Sequence, residues 1–395
     1  MRHTSLLVLG TKRLLDSLVD KIPNATDVGI WGRPELAAVT RDSTGRQYNE
    51  KVRGPAFFVN SRARPGEELL SLASRQEPFV ALHNGELVAA RLDQVSLRPG
   101  VLRKRETAAM AKTTEKVGVP ADPLFDGYWS LVQRNGLAIA EQARHFEEPM
   151  QVPRSVEVRG SSTNVMVHSG ADVEGHVTLD ARLGPIMVDD GATLESFSRV
   201  MGPCYIGPRA RICSALIGGG TSIFDSCRVG GQVENSVMMP FTNKAHHGYL
   251  GDSYVGSWVN LGAGCTFSNL KNTYGNVRLN VGGKKVDSGM LKLGPVVGDM
   301  AKLSIGALVY AGKSVGTGAH LSGLASDDLP SFSFYDSAAG KRVELLLESV
   351  LETQRRMMER RGLALSRNEE ALIRKAFAAT ARERRNAGAK KGALR

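Results

Sequence analysis

The chain of 395 residues is poor in aromatics, which make up 6% of it, and holds only four cysteines. So few rings argue against a core built on bulky side chains. Cys204, Cys213, Cys227 and Cys265 all fall in the central region, without metal-like Cys-x-x-Cys spacing. They read as reduced, small apolar side chains of a cytoplasmic protein. No apolar run approaches the roughly 20 residues of a membrane helix. The opening MRHTSLLVLGTKRLL carries an apolar run of about five residues. That is short of the ~7–15 of a secretory leader, so a first strand is the better reading. A glycine-rich loop behind that strand is missing too. SLLVLGTKRLL has one glycine, whereas cradling a triphosphate takes a series of backbone N–H donors.

Glycine is abundant instead, at 43 residues, and concentrates after residue 150. Otherwise the composition is that of a globular protein, 42% apolar and 23% charged, with length enough for two domains. The net charge of +11 is uneven: Lys341–Arg395 holds 15 Lys/Arg against 7 Asp/Glu. A basic end of this kind can attract nucleic acid. No aromatics interleave with the charges, so a solvated helix face with a frayed end is the expectation.

An internal repeat accounts for the glycine. Val188, Leu194, Val200, Ile206 and Ile212 are six residues apart; Ile217, Ile223 and Val229 continue after a slip of five. Val255, Leu261 and Phe267 keep the step, and Val297, Leu303, Val309, Val315 and Leu321 end it with four further intervals. Glycine often follows the aliphatic, as at Ile206-Gly207 and Leu261-Gly262. Neither a helical nor a two-residue period fits. A triangular parallel β-helix does: each hexad makes one short strand, three close a coil of about 18 residues, and the aliphatics stack inside.

The expected architecture is therefore mainly β, with the solenoid over residues 152–328. A small α/β domain over 1–105 precedes it. There TKRLLDSLVDKI reads as a helix, GPAFFVNSRARPG as a strand running into a turn, and EPFVALHNGELVAARL as a hairpin turning at Asn84-Gly85. Residues 106–151 read as a helical linker broken by GVPADP. From Lys341 the sequence predicts amphipathic helices over 341–385, the second starting at Ser366 with Glu369 as a capping box. A basic tail over 386–395 ends the chain.

Two stretches lie between hexads. KAHHGYLGD reads as an interruption, and SNLKNTYGNVRLNVGGKKVDSG as an excursion leaving after Phe267. They leave about one coil apart, so Tyr249 and Asn269 could meet. His246 and His247 are the candidate bases. A zinc site on this pair is disfavoured, because His168, His176 and His320 are not near the block.

The stretch Lys244–Gly275, with NKAHHGYLGD and WVNLGAGCTFSNLKNTYG, resembles the left-handed β-helix acetyltransferase domain of the bifunctional UDP-N-acetylglucosamine diphosphorylase/glucosamine-1-phosphate N-acetyltransferases. The resemblance implies an acetyl-CoA-dependent N-acetyltransferase acting on an amino-sugar 1-phosphate, most simply glucosamine-1-phosphate, in a homotrimer. It assigns the general base to His246, three residues before Tyr249 of the YLGD turn. An imidazole suits that task at neutral pH. Asn269 would orient the amine or the base, and Tyr249 would contact the acetyl group or the sugar. Turn N–H groups would hold the oxyanion. Lys244 and Arg228 would bind the sugar phosphate, Asn260 would bind the substrate, and Ser304, Gly306 and Ala311 would line the coenzyme. The family's nucleotidyltransferase domain is shrunken here, so Mg2+ is expected only if that domain is active. Two alternatives remain open: a sugar-phosphate nucleotidyltransferase or bifunctional enzyme, and a non-catalytic sugar-nucleotide-binding scaffold.

Overall fold

The computed structural model describes residues 4–25, 27–93, 104–119, 121–146, 149–150 and 152–391. The chain divides into two compact units, chiefly Lys12–Gly127 and Tyr128–Ser366.

In the first unit a four-stranded sheet runs in the order Ala56–Val59, Glu86–Leu92, Phe79–His83, Glu115–Val117. The hairpin turns at Asn84-Gly85, whose φ angles of 50° and 76° suit a type I′ turn. Phe79, Ala81, Val88, Leu69 and Leu72 form its core. The expected first strand shrinks to Val8–Leu9, because Thr4–Leu6 coils into a 3-10 turn and Gly10 turns left-handed at φ 68°. The linker is not one element. The helix Lys104–Thr113 and strand Glu115–Val117 precede the division, whereas the helix Tyr128–Gln142 belongs to the second unit. The expected end of the first domain, at 105, falls inside the helix Lys104–Thr113; residues 94–103, Pro120 of GVPADP and residues 392–395 of the basic tail lie outside the described residues.

The second unit is a three-faced parallel solenoid. Its coils stack in register: Val297 lies opposite Val315 and Leu303 opposite Leu321, each pair three hexads apart, as the repeat predicts. One continuous cluster of inward apolar side chains, from Val156 to Leu329, forms the core. The helix Tyr128–Gln142 lies on one face, where Asn135, fully buried, donates to the Gly220 carbonyl and to Ser222 Oγ. Among the described residues no helix is long and apolar enough to cross a membrane, and all four cysteines are free thiols.

Two readings need correction. KAHHGYLGD does not leave the coil. Asn243–Lys244 and Tyr249–Gly251 both pair in parallel with Arg228–Glu234. The inward column passes through this stretch as Val233, Met238, Lys244 and Leu250, all buried; a lysine at an inward position hid the hexad. The second excursion is real. Leu261 pairs with Leu303, across far more chain than one coil needs, and the surplus forms a hairpin of Arg278–Val281 with Lys284–Asp287. The C-terminal region also differs. Ser333–Asp336 pairs with His320–Ser322 and prolongs the solenoid, and Lys341–Glu344 is an antiparallel strand upon it. The helix starts only at Leu347, and a second helix follows at Arg367–Ala379.

Candidate functional site

The strand Arg228–Glu234 runs along two faces and bends at Gly230-Gly231. The next coil repeats the bend as His246-His247-Gly248, and the coil after that as Gly262-Ala263-Gly264. The main chain ties these bends together: Gly264 N–H donates to the His247 carbonyl at 3.0 Å, and Gly306 N–H to the Ala263 carbonyl at 2.7 Å. Gly248 is required here. Its φ is 124°, and a Cβ would stand 2.0 Å from the Cys265 carbonyl oxygen. Both imidazoles point outward and are exposed. Among the described residues, neither has a hydrogen-bonding partner. Ser304 and Gly306 continue the same corner and are exposed. A Cβ at Gly306 would meet nothing within 4 Å, so a slender arm has room there, beside Ile305, 79% exposed.

Tyr249 begins the next face, and its hydroxyl does meet Asn269. Asn269 Nδ2 donates to Tyr249 Oη at 2.8 Å and to Asp252 Oδ2 at 2.6 Å. Tyr249 Oη in turn donates to Glu234, and Asn235 Nδ2 donates to Asp252 Oδ1 at 2.6 Å. Burial, then the neighbouring Glu234, raises the Tyr249 pKa well above the usual phenol range. The phenol stays protonated, and its one hydrogen goes to Glu234. Both amide hydrogens of Asn269 are engaged, so this side chain fixes Tyr249. Glu234, Asp252 and Asn235 were not anticipated. Their signal was spacing: Asn235, Asp252 and Asn269 recur at equal intervals in the sequence, one coil apart at one corner.

The other expected residues separate. Asn260 accepts from Asn243 at 2.9 Å, a carboxamide ladder between neighbouring coils. Arg228 is exposed on the same face, and Arg361, from the C-terminal helical region, lies near enough for the two charges to repel. Lys244 is not on the surface. It is 1% exposed, and its ammonium donates to the carbonyls of Gly230 at 2.7 Å and His246 at 3.0 Å. That burial lowers it to about 8. With its donors facing inward, it cannot meet an external phosphate. Ala311 lies at a different corner from Ser304 and Gly306, under the inserted hairpin with Val277, Leu279 and Leu293. Among the described residues, no group of three or more His, Cys, Asp or Glu is placed to hold a metal.

The register, the three faces and the hexad column define a hexapeptide-repeat β-helix with an exposed histidine corner. Proteins similar to it in sequence are named as bifunctional. The chain is 33% identical over 103 residues to the bifunctional sugar-1-phosphate nucleotidylyltransferase/acetyltransferase of Sulfurisphaera tokodaii, covering 26% of each. It is 31% identical over 162 residues to the bifunctional protein GlmU of Methanococcus vannielii, covering 39% of this chain and 37% of that one. With GlmU of Burkholderia vietnamiensis it shares 26% over 291 residues, 64% of this chain and 59% of the relative. The chain thus spans between about a quarter and three fifths of the length of these relatives. No family model matches it. Solved structures with partial likeness include a hexapeptide transferase family protein from Anaplasma phagocytophilum, at 17% identity and TM-score 0.20 over 56% of this chain and 96% of that one. Another is a mutant of AntD, an N-acyltransferase from Bacillus cereus, in complex with dTDP-4-amino-4,6-dideoxyglucose and coenzyme A, at 12% identity and TM-score 0.21 over 52% and 91%. Over part of its length the solenoid is similar to the GlmU proteins, at 31% identity with one and 26% with the other.

Proposed function

We propose that the chain transfers an acetyl group from acetyl-CoA to the amine of an amino-sugar phosphate, with glucosamine-1-phosphate as the first substrate to test. One observation carries this reading: the exposed His246 shares its corner with the open glycine turn at Gly306, and the adjoining face carries a Tyr249 hydroxyl locked by Glu234 and Asn269. His246 takes a proton from the sugar amine as its nitrogen bonds to the acyl carbon. The carbon–sulfur bond then breaks, and the coenzyme thiolate takes up the proton. Backbone N–H groups of the corner turns stabilise the oxyanion, and the Tyr249 hydroxyl orients the sugar. Ser304 and Gly306 would flank the pantetheine arm. Arg228, exposed and without an acidic partner among the described residues, would receive the phosphate, with Asn260 beside it. A homotrimer, as the resemblance implies, is part of the proposal and is tested by sedimentation.

The test is free-thiol release from acetyl-CoA with a panel of amino-sugar phosphates, run beside pyrophosphate release from UTP. His246→Ala should lower kcat by ~10²–10⁴ and leave the oligomer unchanged. Wild-type turnover in that variant refutes the assignment.

A further inference from the structure

The residues aligned with Lys244 on the coils around it are aliphatic: Leu194, Ile212 and Val229 before it, and Leu261, Leu303 and Leu321 after it. A methionine or leucine would fill the same space, and an ammonium there loses its water. What lysine adds is two charge-assisted hydrogen bonds, to the carbonyls of Gly230 on the coil below and His246 on its own turn. The two turns also touch: a Cβ at Gly230 would come within 2.2 Å of the Ala245 carbonyl oxygen. His246 has no side-chain partner among the described residues, so its placement depends on this stretch of main chain.

We propose that Lys244 is a positioning residue, which holds the main chain of His246 onto the coil below and so sets where the outward imidazole stands. The proposal rests on the reading of His246 as the base. The lysine acts from inside the prism and touches no substrate. Among the described residues, the titratable group facing it is the Cys265 thiol on the coil above. Burial pushes that thiol up, so it stays neutral. The outward Arg228 and His246 side chains belong to the other side of the wall. Because burial holds the ammonium at about 8, the link loses its charge as the pH rises from 7 to 9. The rate should fall over the same interval.

Lys244→Met and Lys244→Gln test this in the full chain by acetyl-CoA thiol release, with His246→Ala as reference. Hydrogen bonds from a charged donor are the stronger kind, so Lys244→Met should lose about tenfold to a hundredfold in kcat. Its KM for acetyl-CoA should stay within about twofold of wild type, and the thermal midpoint should not fall, since a buried charge gives way to an apolar side chain. Lys244→Gln can still donate to both carbonyls and should recover most of the rate. Both variants should lack the decline of kcat near pH 8 that the wild type shows. Wild-type kcat in Lys244→Met overturns the proposal, as does a decline that persists in either variant. If Lys244→Met does not fold, the pH profile of Lys244→Gln against wild type decides alone. Full activity in His246→Ala defeats the reading of the site itself, independently of what Lys244 does.

Discussion

His320 offers a direct measure of how dry the solenoid wall is. It stands opposite Lys302 on one coil and Phe334 on the next. Burial, then the charge of Lys302, lowers its pKa from 6.5 to about 4. In the unfolded chain the imidazole regains its ordinary value. Between pH 6.5 and 4 the unfolded state therefore binds a proton that the folded state refuses, and stability falls as the pH drops through that window. At about 1.4 kcal/mol per unit, the full loss is about 3 kcal/mol, and about 2 kcal/mol is gone by pH 5. Glutamine at this position does not titrate. Urea unfolding of wild type and His320→Gln at pH 7, 6, 5 and 4.5 isolates the effect, because the remaining carboxylates and histidines are common to both. The expected outcome is a gap between the two stabilities that shifts by about 2 kcal/mol in favour of the variant from pH 7 to pH 5. Parallel curves would show that the imidazole takes up its proton in the folded wall without cost, and the argument from burial would be wrong.

Two further substitutions probe the site and the end of the fold. Gly251→Ala would put a Cβ 2.1 Å from Tyr249 Oη and 2.9 Å from Asn269 Nδ2. It should displace the phenol from Glu234 and cost about tenfold in kcat, the worth of a lost hydrogen bond or two; unchanged turnover would remove Tyr249 from the mechanism. Arg384 is 1% exposed, donates to Glu344 at 2.8 Å and lies over the Phe377 ring at 4.0 Å. Arg384→Ala leaves Glu344 unpaired, and urea unfolding should register a loss of about 3 kcal/mol, where a loss under about 1 kcal/mol would count against the pairing.

The solenoid was legible because its inward side chains recur at a spacing that no helix or alternating strand produces. It became illegible where a lysine took an inward place, since hydropathy alone sends Lys244 to the surface. The same blindness assigned that residue to a phosphate. The meeting of Tyr249 with Asn269 could be read from coil arithmetic. The carboxylates that complete their network could have been read the same way, had the once-per-coil column of Asn235, Asp252 and Asn269 been followed downward. Ala311 was misplaced because a hexad fixes a rung and an inserted hairpin decides what covers it. Lys341–Glu344 looked helical from the leucines that follow, yet its pairing with Ser333–Asp336 is a long-range hydrogen-bonding choice that local pattern does not carry.

That reversed strand has a consequence for how molecules meet. A parallel β-helix ends in a flat rim of unpaired main-chain donors and acceptors, ready to accept a further rung from any chain of the same design. Here the terminal direction flips at Lys341–Glu344, and among the described residues the outermost rung is the short, exposed Lys390–Lys391. A second strand arriving at this edge would meet reversed polarity and two like charges.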